Sequence, residues 1–332
     1  MKAIEVNGGG LDKLKVMDRP KPTPQAGQVT VRWHATSLNF HDYLVAIGGI
    51  PVPTERIPMS DGAGEIIALG EGVTSWNIGD KVMSLFFPNW IDGPATYRKM
   101  KAISGETVDG FITEMSCISA NSLTRIPKGY SFAEAATLPC AALTAWRGLV
   151  TEGKMKSGDT VLIEGTGGMS IAALQIAKAG GATIIATTSS PEKAERLKEM
   201  GATNVINYRE DQKWGKTIFR LTGGGVDHVL DVGGGSTMNQ SIEAAKIGGS
   251  IISIGILGDR KGEITFPKLF FKQLTLKGIA VDSKSSQDDM IKAINQSGYK
   301  PILDKSFAFD QLADAFRYQE SGKHFGKIVL EW

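Results

Sequence analysis

Apolar and polar positions alternate along the first part of the chain in short runs: KAIEV (2–6), QVTVRWHA (28–35), AGEIIALG (63–70) and DKVMSLF (80–86). A period of two sends successive side chains to opposite faces, so each run is expected to be a strand, with turns at the intervening Pro and Gly. From about Ser131 the pattern changes. FAEAATLPCAALTAWRGLV (132–150) has helical spacing interrupted near Pro139, which has no amide hydrogen to donate. Beyond it, apolar runs alternate with helix-length segments. VLIEG (161–165) precedes a helix from Ser170 to about Ala179, and TIIATT (183–188) precedes a helix over PEKAERLKEMG (191–201). NVINY (204–208), VDHVLDVGG (226–234) and GSIISIGIL (249–257) follow at similar spacing. Strands separated by helices imply an α/β doubly wound parallel sheet. After TLKGIAV (275–281) come two more helical stretches and a last strand in KIVLEW (327–332). That tail is expected to rejoin the β-rich part, making the α/β half an insertion in a discontinuous domain.

Where the first apolar run of this half meets its helix, Gly165-Thr166-Gly167-Gly168-Met169-Ser170 matches G-x-G-x-x-G except for its final Ser. Gly165 permits a tight turn and Gly167 lets the backbone approach a pyrophosphate. The amides from Gly168 and Met169 onward then face the anion with the helix dipole behind them. Ser170 is small enough to keep helix and strand close. Glycine-rich turns are common, and it is the strand before, the helix after and the second βα unit that give this one meaning. Sites for NAD place an acid about 20 residues further on, bonded to the ribose 2′-hydroxyl. Here Thr187, Thr188, Ser189 and Ser190 stand there, with Ser189 at the acid's position. Without that negative charge a 2′-phosphate is not repelled. Lys193 supplies a counter-charge or belongs to a solvated helix face, and Tyr208 or Arg209 borders the adenine ribose. The expected cofactor is NADPH in preference to NADH.

Composition narrows the class of partner. The 332 residues carry 37 basic and 35 acidic side chains, a formal +2 that offers no basic footprint for nucleic acid. No run approaches the ~18 apolar residues of a membrane span, and the N-terminal residues lack the apolar core of a signal peptide. Cys117 and Cys140 are the two cysteines, which fits a reducing, cytoplasmic setting without a disulfide framework.

Together, SLNFHDY (37–43), PMSDGAGEI (58–66), GDKV (79–82), AATLPCAALTAW (135–146), GDTVLIEGTGG (158–168), NVINYR (204–209), GVDHVLDVGG (225–234) and HFGKIVL (324–330) resemble the medium-chain dehydrogenases/reductases over essentially the whole chain. The likeness is to the zinc-free branch, which includes quinone oxidoreductases and NAD(P)-dependent alcohol dehydrogenase-like proteins. It implies a GroES-like catalytic domain from residues 1–126 and 283–332, a Rossmann NADP(H)-binding domain at 127–282, and a hydride-transfer cleft at their junction. Zinc members hold the catalytic metal with Cys, His and Cys. Those positions correspond here to Asn39, Ser60 and Cys140, of which Cys140 alone retains ligand chemistry. A structural zinc needs four clustered cysteines, so neither metal site is expected. His34 and His41 lie near Asn39 in sequence, without a further plausible ligand.

Without a metal, the negative charge that develops on hydride transfer must be met by hydrogen-bond donors. Asn39 either offers its amide to a substrate oxygen or the nicotinamide ribose, or bonds its own loop. His41 is either a proton donor or a packing residue, and Asp42 a structural acceptor. Tyr43 is a further candidate donor, although quinone oxidoreductases place their tyrosines slightly later, where Leu44 and Ile50 stand. In the long segment 84–111, Phe86, Phe87, Trp90 and Phe111 either roof an apolar substrate pocket or fill the core beneath a loop. The resemblance further implies nicotinamide contacts from Thr144, the backbone of Ile254, Gly255 and Ile256, and Val281. It also implies closure by Phe325 and Lys327, and a homodimer paired through TLKGIAV.

The expected protein is thus a zinc-independent NADPH-dependent oxidoreductase that reduces an activated C=C or C=O of a small apolar substrate. Reversible alcohol dehydrogenation and a non-catalytic NADPH-binding role are its rivals.

Overall fold

The computed structural model describes residues 1–332. In chain order its strands are β1 Lys2–Glu5, β2 Lys15–Asp18, β3 Gln28–Ser37, β4 Ala63–Leu69, β5 Lys81–Met83, β6 Met115–Ser119, β7 Thr124–Arg125 and β8 Thr160–Glu164. They continue with β9 Thr183–Thr188, β10 Asn204–Asn207, β11 Val226–Asp231, β12 Ala245–Ser253, β13 Thr275–Gly278, β14 Leu303–Ala308 and β15 Lys327–Glu331. The chain divides into two compact units: Met1–Leu143 with Val281–Trp332, and Thr144–Ala280. Both chain ends therefore share the β-rich unit, and the α/β half is the insertion. The stretch 127–143 packs with the β-rich unit.

In that unit the sheet order is β14-β15-β3-β4-β5-β7, with β6 also paired to β3. β3 is the hub. Its buried positions include Val29, Val31 and Trp33, and the Trp33 ring lies 4.6 Å from that of Phe111. β4 lies so close that a Cβ at Gly64 would meet the Arg32 carbonyl oxygen at 2.2 Å, which excludes any other residue there. β15 pairs antiparallel with the end of β3, Val329 opposite Ser37, and the Leu38 amide donates to the Ile328 carbonyl at 3.0 Å. That register brings the first residue of the last strand beside the residues that open the helix Phe40–Ala46.

The segment 84–111 is anchored along its length. Phe86, Phe87 and Trp90 are only 7%, 3% and 2% exposed and form a chain of rings 4.8 and 5.9 Å apart. Ser104 donates to the Leu85 carbonyl at 2.9 Å, and the Trp90 carbonyl accepts from the Lys284 amide at 2.9 Å. A second anchor is ionic. His41 Nε2 lies 2.7 Å from Glu106 Oε2 and Nδ1 lies 3.5 Å from Asp42 Oδ1, with the Phe86 ring edge-on at 5.1 Å. The helix Phe132–Ala136 opens with Ser131 accepting from the Glu134 amide. It then widens into a π-turn over Leu138–Ala142, where Pro139 removes one amide from the ladder.

The inserted unit is a parallel sheet of order β10-β9-β8-β11-β12-β13. The direction in which strands are added reverses between β8 and β11, and sheets of this kind receive ligands beyond the carboxyl ends of the strands at that reversal. The helix Gly168–Ala179 starts two residues earlier than its apolar period implies. The helix Pro191–Met200 has Ser190 as its N-cap, Pro191 in its first turn and Gly201 left-handed at its end, all favoured at those positions. The expected strand GSIISIGIL ends at Ser253; the Ile254 amide makes the last ladder bond to the Asp231 carbonyl at 2.8 Å, and the Leu257 amide beyond it turns to the Val232 carbonyl at 3.0 Å.

Burial by itself would lower the His41 pKa, but the bonds to Asp42 and Glu106 outweigh it and push the imidazole up to about 9. The native state therefore holds a proton that the unfolded chain releases near its ordinary 6.5. The resulting stability is complete below that value and is lost as pH rises through about 9. Glu106→Gln should remove on the order of 2 kcal/mol near pH 6 and flatten this dependence, as measured by denaturant melts across pH.

Candidate active site

β3 ends at Ser37, and two residues later Asn39 begins the helix Phe40–Ala46 with extended backbone. Its amide nitrogen donates to Asp42 Oδ2 at 3.1 Å, and Asp42 Oδ1 accepts from the Ser60 amide at 2.8 Å. Lys327, at the start of β15, reaches into the same place. Its ammonium donates to the Leu38 carbonyl and to Asn39 Oδ1, each at 2.6 Å, and lies 3.5 Å from Asp61 Oδ2. Asp61 Oδ2 also accepts from Ser37 Oγ at 2.7 Å and Asn39 Nδ2 at 2.8 Å. Asn39, Asp42, Ser60, Asp61 and Lys327 are all buried.

Hydrogen counting limits what this cluster can offer. Asn39 Nδ2 has two hydrogens and three acceptors, Asp61 at 2.8 Å, Asp42 at 3.1 Å and Ser60 Oγ at 3.3 Å, so both hydrogens are committed and one is shared. Its oxygen is taken by Lys327. In this arrangement Asn39 presents no spare hydrogen to a ligand. Asp61 Oδ1, by contrast, is buried with no hydrogen-bond partner. Desolvation raises the Asp61 pKa, and the adjacent Lys327 charge opposes that rise. Burial likewise pushes the Cys140 thiol well above its ordinary value, against the pull of Lys327.

The three positions that the family resemblance equates with zinc ligands are here an amide already bonded to an ammonium, a serine and a thiol whose pKa burial raises. This donor set does not fit a zinc ion. A divalent ion needs deprotonated ligands and would face the fixed positive charge of Lys327. No group of three or more His, Cys, Asp or Glu side chains is placed to hold a metal.

Other residues of this unit singled out from sequence have further partners, and His41 meets the cluster through Asp42, 3.5 Å from its Nδ1. His41 is committed to Glu106, and Tyr43 donates its hydroxyl to Glu320. Phe325 is buried, with its amide on Asp304 Oδ1 at 3.1 Å. Val281 is buried at a φ of 45°, an unusual conformation for a β-branched residue.

In the inserted unit, β8 delivers the chain to Gly165, whose φ of 75° makes the turn and whose missing side chain faces open space. Gly167 starts the twelve-residue helix Gly168–Ala179 with no side-chain cap, which leaves the first-turn amides for an anion. Ser170 is buried and donates to the Glu164 carbonyl at 2.7 Å, so the hydroxyl that replaces the third glycine ties helix to strand. At the end of β9, Thr188 Oγ1 accepts from the Ser190 amide at 3.3 Å, and Ser190 Oγ caps the next helix on the Lys193 amide. Ser189 is half-buried between them. The Tyr208 amide donates to the Thr188 carbonyl at 3.1 Å, and its side chain is 40% exposed. These residues, with the Ile254–Ile256 turn after β12, lie at the carboxyl ends of the strands. Thr144 is buried near the start of the unit. The glycine turn and uncapped helix fit the pyrophosphate of a nicotinamide dinucleotide.

Sequence reasoning passed over two groups. Asp61 sits next to Ser60 in MSDGAG, and Glu164 and Asp231 end the apolar strands TVLIE and VDHVLD. An acid closing the parallel strand TVLIE after a run of buried apolar residues is the signal that could have found Glu164.

The family model described as "Alcohol dehydrogenase GroES-like domain" matches residues 25–128, and that described as "Zinc-binding dehydrogenase" matches 168–296. A zinc-type alcohol dehydrogenase-like protein of Schizosaccharomyces pombe is 40% identical over 97% of this chain and 96% of its own. An acryloyl-coenzyme A reductase of Sulfurisphaera tokodaii is 27% identical over the full length of both. Among solved structures, a putative alcohol dehydrogenase from Sinorhizobium meliloti has a TM-score of 0.92 at 36% identity, covering 99% of this chain and 98% of its own. A mycobacterial protein solved in complex with NADPH has a TM-score of 0.84 at 25% identity, covering all of both chains. With the GroES-like sheet, the inserted Rossmann unit and the glycine turn in place, the chain belongs to the medium-chain dehydrogenase/reductase superfamily of NAD(P)-dependent oxidoreductases.

Proposed function

We propose that the protein is a zinc-independent, NADPH-dependent oxidoreductase that transfers hydride to an activated C=C or C=O of a small apolar substrate. The observation that carries this reading is the Lys327 ammonium, bonded to Asn39 Oδ1 at 2.6 Å, at the position that corresponds to a metal ligand of the zinc members. The bound reduced dinucleotide supplies the hydride. The protein's task is then to bind and orient both partners and to meet the negative charge that develops on the substrate. A fixed ammonium in a desolvated cluster supplies positive potential without a metal. Conjugate reduction spreads that charge over an enolate, which weaker stabilisation can support, and the acryloyl-coenzyme A reductase among the relatives is named for such a reaction. His41, cationic and near the Phe86 ring, is the proposed proton source at neutral pH. Tyr43, Phe86, Phe87 and Trp90 are proposed to shape the substrate side, the three buried rings forming its packed base.

The preference for NADPH rests on Ser189, Ser190 and Lys193 at the end of β9, where no carboxylate stands. A homodimer through β13 is supported by its position as the outermost strand of the sheet, paired on one side to β12. No helix is long and apolar enough to cross a membrane. A cytoplasmic location is proposed from the two free cysteines.

A spectrophotometric screen of NADPH oxidation against enones, quinones, acrylyl thioesters and aldehydes tests the reading. Turnover that survives exhaustive chelation, with no stoichiometric metal by elemental analysis, is the expected result. Alcohol oxidation alone would favour the alcohol dehydrogenase reading suggested by the names of the nearer relatives. Tight NADPH binding without turnover of any of them would favour a non-catalytic role.

Ser189→Asp should shift the ratio of NADPH to NADH affinity by roughly tenfold or more towards NADH, measured by titration of each. Lys327→Met leaves Asp61 without its counter-charge. It should cost about 3–5 kcal/mol of stability in denaturant melts and lower turnover by roughly a hundredfold in the fraction that folds.

A further inference from the structure

Glu164 is the last residue of β8, immediately before the Gly165 turn, and Asp231 is the last residue of the neighbouring β11. Both side chains are buried, and a single serine hydroxyl lies between them. Ser241 Oγ is 2.8 Å from Glu164 Oε1 and 2.7 Å from Asp231 Oδ2. A hydroxyl carries one hydrogen, so it can donate to only one of two ionised carboxylates, and the other short contact would set lone pair against lone pair. The geometry is satisfied when one carboxyl keeps its proton.

The remaining contacts assign that proton. Asp231 Oδ2 accepts a second hydroxyl, Thr237 Oγ1 at 2.9 Å, and Oδ1 accepts the Gly234 amide at 2.9 Å. Glu164 Oε2 accepts the Val232 and Gly233 amides at 3.1 and 3.4 Å, while Oε1 accepts no amide and meets Ser241, and the Glu164 carboxyl also bonds the Asp231 carboxyl directly. Glu164 Oε1 is therefore the oxygen free to carry hydrogen, and the chain runs from Glu164 to Ser241 to Asp231. From the flanking strands the residues paired with these two are Thr187 on β9 and Ser253 on β12, neither charged. The titratable group facing each carboxyl is the other carboxyl, and neither forms an ion pair with a Lys, Arg or His side chain. Desolvation, then the Asp231 charge, pushes Glu164 up to about 8, and desolvation raises Asp231 as well.

These two residues also join the parts of the unit that are read as the dinucleotide seat. The Glu164 carbonyl holds Ser170 at 2.7 Å, next to the phosphate turn, while its side chain holds the backbone after β11. The Asp231 carbonyl accepts the Ile254 amide at 2.8 Å, fixing the turn after β12. We propose that Glu164, Ser241 and Asp231 are positioning residues that share one proton, and that this proton locks the phosphate turn to the backbone at 232–237, so that dinucleotide affinity falls when it is lost. The inference rests on the dinucleotide-binding reading above. Loss of the proton would place two anions about one hydroxyl in a site without counter-charge, and the loops would separate to admit water.

The test uses the whole chain. NADPH and NADH are each titrated by calorimetry between about pH 6.5 and 10, and infrared spectra follow the protonated carboxyl over the same range. The expected result is a fall of about tenfold or more in affinity for both nucleotides above pH 8, in step with loss of the carboxylic-acid band. NADH serves as the probe without a 2′-phosphate. Glu164→Gln, whose amide donates permanently to Ser241 and still accepts from Val232, should bind with little pH dependence and lack the band at neutral pH. A Glu164→Gln variant that titrates like the parent, or a parent without a protonated carboxyl at pH 7, overturns the proposal. The infrared result on the parent decides the matter even if the variant does not fold. If neither nucleotide binds at any pH while the band is present and titrates, the dinucleotide reading fails and the shared proton stands.

Discussion

A charge withdrawn from water has to find its solvation among protein groups, and the β-rich unit is organised around one that has done so. The Lys327 ammonium is held by a main-chain carbonyl, the Asn39 amide oxygen and the nearby Asp61 carboxylate, all buried. The arrangement draws on three distant parts of the chain: the end of β3 with the helix after it, the MSDGAG turn before β4, and the start of β15. Burying any one of these polar groups alone would be unfavourable by several kcal/mol, on the order of the stability of a whole domain. The cluster is therefore cooperative. It helps explain why the C-terminal strand returns to β3 in the register it does.

The inserted unit solves a related problem with neutral dipoles. Its strands β8 and β11 end on Glu164 and Asp231, which turn inward to collect backbone amides that the following loops would otherwise leave unbonded. The same strand ends present the open first-turn amides of the Gly168–Ala179 helix. One unit thus concentrates positive charge in a buried ammonium, the other in oriented N–H groups.

Much of this was legible in the sequence, and the reasons differ by region. Parallel strands covered on both faces read as apolar runs, so TVLIE, TIIATT and VDHVLD announced the Rossmann sheet, and GTGGMS announced its turn because only glycine reaches a φ of 75° without strain. The insertion of one unit in the other was readable because KIVLEW has strand character after two helices. Short pieces such as β7, of two residues, carry too little pattern to be seen. Side-chain partnerships were less accessible still. Asn39 reads in sequence as either a ligand-side amide or a residue bonding its own loop, and Lys327 as a residue near the cofactor. That the two bond each other depends on the pairing of β15 with β3, residues separated by most of the chain, and no local spacing encodes it. The ring chain of Phe86, Phe87 and Trp90 posed the same difficulty, since an aromatic cluster looks alike in sequence whether it faces a ligand or a core.

The lysine that fills the cluster also limits which substitutions the fold tolerates. Exchanging Asn39 for a cysteine would strip the ammonium of an acceptor, exchanging Ser60 for a histidine would crowd a fully buried turn, and removing Lys327 would strand Asp61. Each of these exchanges therefore loses folding free energy. Such a site acts as a ratchet: with the ammonium in place, single substitutions at any of the three positions are held back by the stability of the fold itself.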